Sequence, residues 1–391
     1  MLYEKEYLIS LLSAAIREDV PPPPEKEVDW NVLCEMARKQ KISILLLQSI
    51  SKLEENHKPP APLMALWQRE SVTGAYFFAL QAEMIENVLA EAEKAGVDML
   101  ILKGTALRRL YPVPELRTMS DCDALIKKEQ LDLVKKVFAE CGYTIARELE
   151  KTIEFSKPDA LKFELFYEVF SGIEKSEDFN PDLWGNAVPF MGEHILTPSP
   201  EDTFVHAIAH HVKHIRHRGA GLRNLADIVL IAEKYELDTE YILNKINQLN
   251  IYPIFCGIMR AAEKYFGLKP MFGSSEVDDN AVEQLMEYMA SNGVYGVVNN
   301  MFLYDARNAD GDKKERTKKY IRRILLPADK LSDRYAYAKK HTILLPVAWA
   351  HRLLRGLFKG KKYLKHEMDS VKTAADKAQE QLNILEYFDI K

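Results

Sequence analysis

Two aspartates separated by one residue, Asp121 and Asp123, are the side chains here whose type and spacing most directly suggest chemistry. On a strand, alternate side chains project to the same face, so both carboxylates would point the same way. Carboxylates held that close repel each other unless a cation lies between them. A divalent ion resolves the repulsion, and magnesium characteristically takes one or two carboxylates together with substrate phosphates. A second feature lies upstream, with sixteen residues intervening between Gly104 and Asp121. There an apolar run, VDMLIL, ends abruptly in Lys103-Gly104-Thr105. Glycine lets backbone approach a ligand closely, and free amides at a helix start favour an anion. Thr105 is placed to cap that helix or to donate to the same anion. Together the two halves read as a seat for a metal ion and a triphosphate.

A histidine cluster offers other chemistry. HAIAHHVKH sets His206, His210 and His214 four apart on one helical face, with His211 adjacent. Pairs at this spacing do bind zinc. Yet there is no H-E-x-x-H, and three such histidines along a straight helix span too far to share one ion. The reading adopted places His210, Lys213 and His214 along a cleft beside the α/β core, with Asp227 orienting one of them. The alternative is a capping and hydrogen-bonding role.

Positioning these groups requires particular elements. Residues 3–56 carry apolar spacings of three and four broken by a run of prolines, which predicts a small helical unit. Residues 66–95 predict one long helix ended by Gly96. VDMLILKG is short, apolar and closed by glycine, as a buried strand is. A short helix over TALRRLY, a strand over SDCDALI and a helix over EQLDLVKKVFAECGY follow. TIARELE, KTIEFSK and ALKFELFYEVF then predict successive strands, the last two joined at Lys157-Pro158-Asp159. From Pro200 onward the pattern is helical. The fold class is therefore α+β, a mixed sheet with flanking helices set between helical regions. The expected divisions are an N-terminal helical region 1–75, an α/β core 76–199 and a C-terminal helical region 200–391.

Composition bounds the rest. The 391 residues are about half apolar and a quarter charged, which argues against wholesale disorder. A net charge of −5 does not suit a general nucleic-acid binder. Four scattered cysteines exclude the usual cysteine zinc site and suggest reduced thiols. The absence of an apolar leader and of long apolar runs points to a soluble cytoplasmic protein. Residues 334–366 reverse the acidic balance, with nine Lys and Arg and no Asp or Glu. That stretch reads as a helix packed on the body with solvated lysines, or as a weak contact with an anionic membrane surface or an acidic partner. No recognised DNA- or RNA-binding motif accompanies the charge, so nucleic acid is not expected.

The string LKGTAL…LY…R..SDCDALI resembles the signature of the nucleotidyltransferase superfamily that includes DNA polymerase beta and the aminoglycoside nucleotidyltransferases. It is most similar to the uncharacterised bacterial nucleotidyltransferase family with an LKG…R…DxDxLV core, over residues 30–300. The resemblance implies a nucleotidyltransferase-type sheet. It implies that Gly104 and Thr105 seat phosphate, with Lys103, Arg117 and Ser120 close to it. Asp121 and Asp123 would hold metal, Mg2+ or Mn2+. Related proteins often carry Asp-x-His-aromatic on a later strand, where this chain has FELFYEVF. Glu164 takes the acidic place as the third carboxylate, Phe166 replaces the histidine, and Glu168 on the same face is the fallback. The implied reaction is a two-metal in-line displacement. It moves a nucleoside monophosphate from a nucleoside triphosphate to an acceptor hydroxyl on a small molecule, sugar or protein, and releases pyrophosphate. The departures at Glu164 and Phe166 leave open a catalytically degenerate nucleotide-binding module, regulatory in a toxin–antitoxin or polysaccharide system. A helical scaffold with an incidental core is the third reading.

Overall fold

The computed structural model describes residues 2–170, 179, 181–217, 220–273, 276–293, 335, 337–338, 341–358 and 383–389. The chain forms two compact units, Met1–Gly296 with Ile384–Lys391, and Val297–Asn383. In the second, a helix at Leu345–Phe358 follows a short turn at Thr342–Leu344, and Tyr335, Ala338 and Ala348 are buried together. Ile343 and Val347 on this segment are exposed. The rest of the basic stretch 334–366 lies outside the described residues, as does any contact expected of it.

The first unit opens with helices α1 (Tyr3–Ala15), α2 (Trp30–Lys39), α3 (Ser43–Ser51) and α4 (Ala61–Ala95). Gly96 ends α4 in the left-handed conformation, φ 73°, as its position after the apolar repeat predicts. Strand β1 (Met99–Ile101) is wholly buried, and a one-turn helix, α5 (Lys103–Leu107), follows it. Strand β2 (Asp121–Ile126), helix α6 (Leu131–Glu140) and strands β3 (Thr144–Glu148), β4 (Thr152–Ser156) and β5 (Lys162–Phe166) complete the predicted run.

Two further strands, β6 (Val188–Met191) and β7 (Ile195–Thr197), were not expected from the sequence. They form a hairpin turned at Gly192, φ 71°. Each is too short to show a period of two, and Pro189 argues against a strand. Here β6 is an edge strand, where a missing ladder donor is tolerated. The sheet runs β3-β4-β5-β2-β1-β7-β6. It is mixed: β2 with β5 and β1 with β7 are parallel, and the other pairs are antiparallel.

Alternation sorts this sheet into two faces. Met99, Ile101, Cys122, Ala124, Phe163 and Leu165 enter one core with α4 and α6. Phe138 anchors that core, stacked on Phe155 at 4.2 Å and edge-on to Phe163 at 5.1 Å. Such pairs add about 0.5–1.5 kcal/mol beyond burial. Leu100 and Leu125 face the other way, into a core shared with α1–α3 and with α7 (Pro200–His217), α8 (Leu222–Lys234), α9 (Thr239–Gln248), α10 (Tyr252–Phe266) and α11 (Asp279–Asn292). Buried Gln40 ties this part together. Its amide donates to the carbonyls of Met289 and Ala290, and its oxygen accepts from the amide of Leu222. Among the described residues no helix is long and apolar enough to cross a membrane.

Candidate active site

Along β2 the period of two puts Cys122, Ala124 and Ile126 into the sheet–helix core. Asp121 and Asp123 are thereby left with Leu125 on the face toward the C-terminal helices. β5 lies parallel beside β2, with Asp121 opposite Lys162 and Asp123 opposite Glu164. Phe163 and Leu165 point inward, so Glu164 shares the aspartates' face. Glu168 lies past the end of β5 and is ion-paired with Lys151 at 2.7 Å. Glu164, not Glu168, is the carboxylate beside Asp123.

Lys103, the first residue of α5, enters the same face. Its Nζ lies 3.2 Å from Asp123 Oδ1 and 4.7 Å from the centre of the Phe166 ring. Phe166, where a histidine was the comparison, packs against a cation instead. Burial pushes the Asp123 carboxyl above the usual range, and Lys103 offsets this only in part. Glu164 is raised too, by burial and then by the charge of Asp123. Ser120, just before β2, donates to Asp121 at 3.2 Å.

Lys103, not Gly104, takes the left-handed backbone, φ 43°, an uncommon conformation for a residue with a Cβ. Gly104 has another use: a Cβ there would meet Arg117 Nη1 at 3.2 Å and the Met119 Cβ at 3.4 Å. The glycine lets the 115–120 loop close down on α5. Thr105 is buried and donates to Cys122 Sγ at 3.3 Å. Its hydroxyl ties α5 to β2.

Arg117 is likewise drawn inward. Its Nε and Nη2 donate to the two oxygens of Asp227 at 2.8 and 2.7 Å, and Nη1 to the Gly104 carbonyl at 3.3 Å. Tyr111 adds a hydrogen bond to Asp227 at 2.7 Å. All three are buried. Asp227 therefore orients Arg117 and Tyr111 and not a histidine. Arg117 supports the loop leading into β2, where phosphate contact was expected. Tyr111 and Arg108 were missed by sequence reasoning. LRRLY offers two adjacent arginines and a tyrosine as the signal, but nothing local says that they are buried.

The histidines lie on α7. His210 and His214 share a hydrogen bond, Nε2 to Nε2 at 2.9 Å. His211 is buried against Met289 Sδ at 3.1 Å, and His206 packs edge-on to Phe170. Burial drives His206 and His211 down to about 3 and His210 well below its ordinary value. The charge of Lys103 adds to the lowering at His206 and His210, so both lie within reach of its field. The structure brings together Lys103, Ser120, Asp121, Asp123 and Glu164, and the charge of Lys103 reaches His210.

Hard carboxylate oxygens on one face suit a divalent cation completed by substrate phosphates. Among the described residues, however, no three His, Cys, Asp or Glu side chains converge as an ion would require. Asp121, Asp123 and Glu164 share a face without closing into such a trio, and the histidines do not form one either. Asp121 and Asp123, on alternate positions of β2, are the residues that would hold such an ion, and the Lys103 ammonium already lies against Asp123.

Residues 26–267, well over half of the chain, match the model of a family described as uncharacterised nucleotidyltransferase. No curated protein matches. Among solved structures, the chain is similar to ANT(2'')-Ia in complex with adenylyl-2''-tobramycin, at 14% identity and TM-score 0.33, over 44% of this chain and 97% of that one. A solution structure of the same antibiotic-resistance factor matches at 15% identity and TM-score 0.31, over 45% and 94%. The Megavirus polyadenylate synthase matches at 12% identity and TM-score 0.28, over 63% of this chain and 52% of that one.

Proposed function

The chain belongs to the uncharacterised nucleotidyltransferase family, and on that premise we propose that it transfers a nucleoside monophosphate from a nucleoside triphosphate to an acceptor hydroxyl. The carrying observation is the register of β2 on β5, which aligns Asp121, Asp123 and Glu164 on one face with Lys103 beside them. Asp121 and Asp123 would hold Mg2+ or Mn2+. Bound there, such an ion supplies charge stabilisation to the phosphoryl oxygens as the bond to pyrophosphate breaks. Glu164 accepts the acceptor's proton, and a carboxyl raised above its usual range is a better base near neutrality. The acceptor oxygen bonds to the α-phosphorus, and pyrophosphate leaves. Lys103 exchanges its contact with Asp123 for triphosphate oxygens when both are bound. Ser120 and His210 line the approach.

The test is release of pyrophosphate from each of the four triphosphates with magnesium or manganese, for wild type and for Asp121→Asn with Asp123→Asn. Metal-dependent release lost in the variant supports the reading. Binding without release points to the second reading, a degenerate nucleotide-binding module. The ammonium of Lys103 on Asp123, where a metal would otherwise be held, favours that alternative.

A further inference from the structure

A groove of about 730 Å³ lies on the other side of the 115–120 loop, walled by α4 and the end of α2. That is the size of a small-molecule site. None of Lys103, Asp123 and Glu164 lines it, so it is not the triphosphate seat. It does include Ser120, which is bonded to Asp121, so it opens at the edge of the proposed centre.

Its lining is cationic. Arg38, Lys41, Arg69, Arg108 and Arg223 face two carboxylates, Glu70 and Glu115. Glu70 is already taken by Arg38 and Ser43. Lys41 and Arg69 are exposed and have no ion-pair partner among the described residues. Arg108 is the decisive group. It is 6% exposed, its Nε has no hydrogen-bond partner, and no carboxylate pairs with it among the described residues. It stacks on Phe78 at 4.1 Å and donates to the Arg117 carbonyl at 3.1 Å. Burial, with Arg117 close by, takes its guanidinium down to about 10. A buried cation with Glu115 in its neighbourhood but no carboxylate bonded to it is costly, and an anion in the groove lowers that cost. Leu66 and Phe77, on the same helix α4 as Arg69, add exposed apolar surface to the lining.

We propose that this groove binds the acceptor, and that the acceptor carries an oxyanion, phosphate or carboxylate, on an apolar or aromatic body. Arg108, Arg69 and Lys41 receive the oxyanion, as guanidinium groups match its geometry. Phe77 and Leu66 receive the body, and the hydroxyl is delivered past Ser120 to the aspartates. That the ligand is an acceptor rests on the transfer reading above; that the groove takes an oxyanion does not.

Calorimetry of the full chain without nucleotide tests it, with phenyl phosphate, benzoate and neutral benzyl alcohol as probes. Saturable binding of an anionic probe, and none of benzyl alcohol, is expected; the preferred anion tells phosphate from carboxylate. Lys41→Gln with Arg69→Gln should weaken binding about tenfold or more, through lost charge-assisted hydrogen bonds. Arg108→Gln should do the same, and the exposed pair carries the test if that buried variant does not fold. Asp121→Asn with Asp123→Asn, which disables the proposed transfer, should keep the affinity. Absence of anion binding, equal binding of benzyl alcohol, or indifference to the Lys41 and Arg69 changes overturns the proposal. So does loss of binding in the aspartate variant, which would put the anion at the carboxylates.

Discussion

Arg117 and Asp227, 110 residues apart, form a buried two-pronged ion pair at 2.8 and 2.7 Å. It locks the loop that delivers Asp121 onto α8. Burial and good geometry go together here, since Tyr111 and the Gly104 carbonyl occupy the remaining positions. Removing one partner leaves the other charge buried and unpaired, at a cost of about 3–5 kcal/mol. Arg117→Ala and Asp227→Ala should each lower the urea midpoint by that order. The double variant should be less destabilised than the sum of the two. Additive losses would show that the pair is not coupled.

Gly104 touches the same assembly. Gly104→Ala should be mildly destabilising, because its new Cβ must displace Arg117 Nη1 by only a few tenths of an ångström. Gly104→Val should push Arg117 off Asp227 and cost about 1–3 kcal/mol, as overpacking does. Triphosphate binding should weaken with it. Thermal melts and calorimetry on both variants check the order.

The two carboxylates with raised values set a pH dependence. In the folded state Asp123 and Glu164 hold protons more tightly than in the unfolded chain. Their contribution therefore grows less favourable as pH rises above the ordinary carboxylate range. Asp121→Asn with Asp123→Asn should raise the apo melting temperature at pH 7. It should also abolish the rise that magnesium and a triphosphate give the wild type. A less stable double variant with an intact ligand shift would contradict the assignment of the aspartates.

The buried histidines act with the opposite sign. His206, His210 and His211 are held neutral, with folded values far below ordinary imidazole. The stability this represents is complete above about pH 6.5 and is lost as pH falls toward about 3. Each group contributes a slope of up to about 1.4 kcal/mol per pH unit in that window. Urea titrations between pH 7 and 4.5 should show a steep loss. His211→Gln should make that loss shallower, whatever it does to stability at pH 7.

The sequence by itself determined the local pieces. The period of two in SDCDALI obliges Asp121 and Asp123 to share a face, because the residues between and beyond them are apolar and must be buried together. The same period puts Glu164 and Glu168 on one face of FELFYEVF, and Gly96 marks the end of α4, which begins at Ala61, five residues before the apolar repeat shows it. What only the tertiary structure decided were the partners. That Arg117 is held by Asp227, that Lys103 sits on Asp123, that Thr105 bonds Cys122, and that β7 inserts beside β1 all depend on chain segments far apart in sequence. A charged side chain's role depends on whether its environment is wet or dry and on which opposite charge arrives there. Composition and periodicity are silent on both, because each is settled only when α8 and the β6–β7 hairpin close against the sheet.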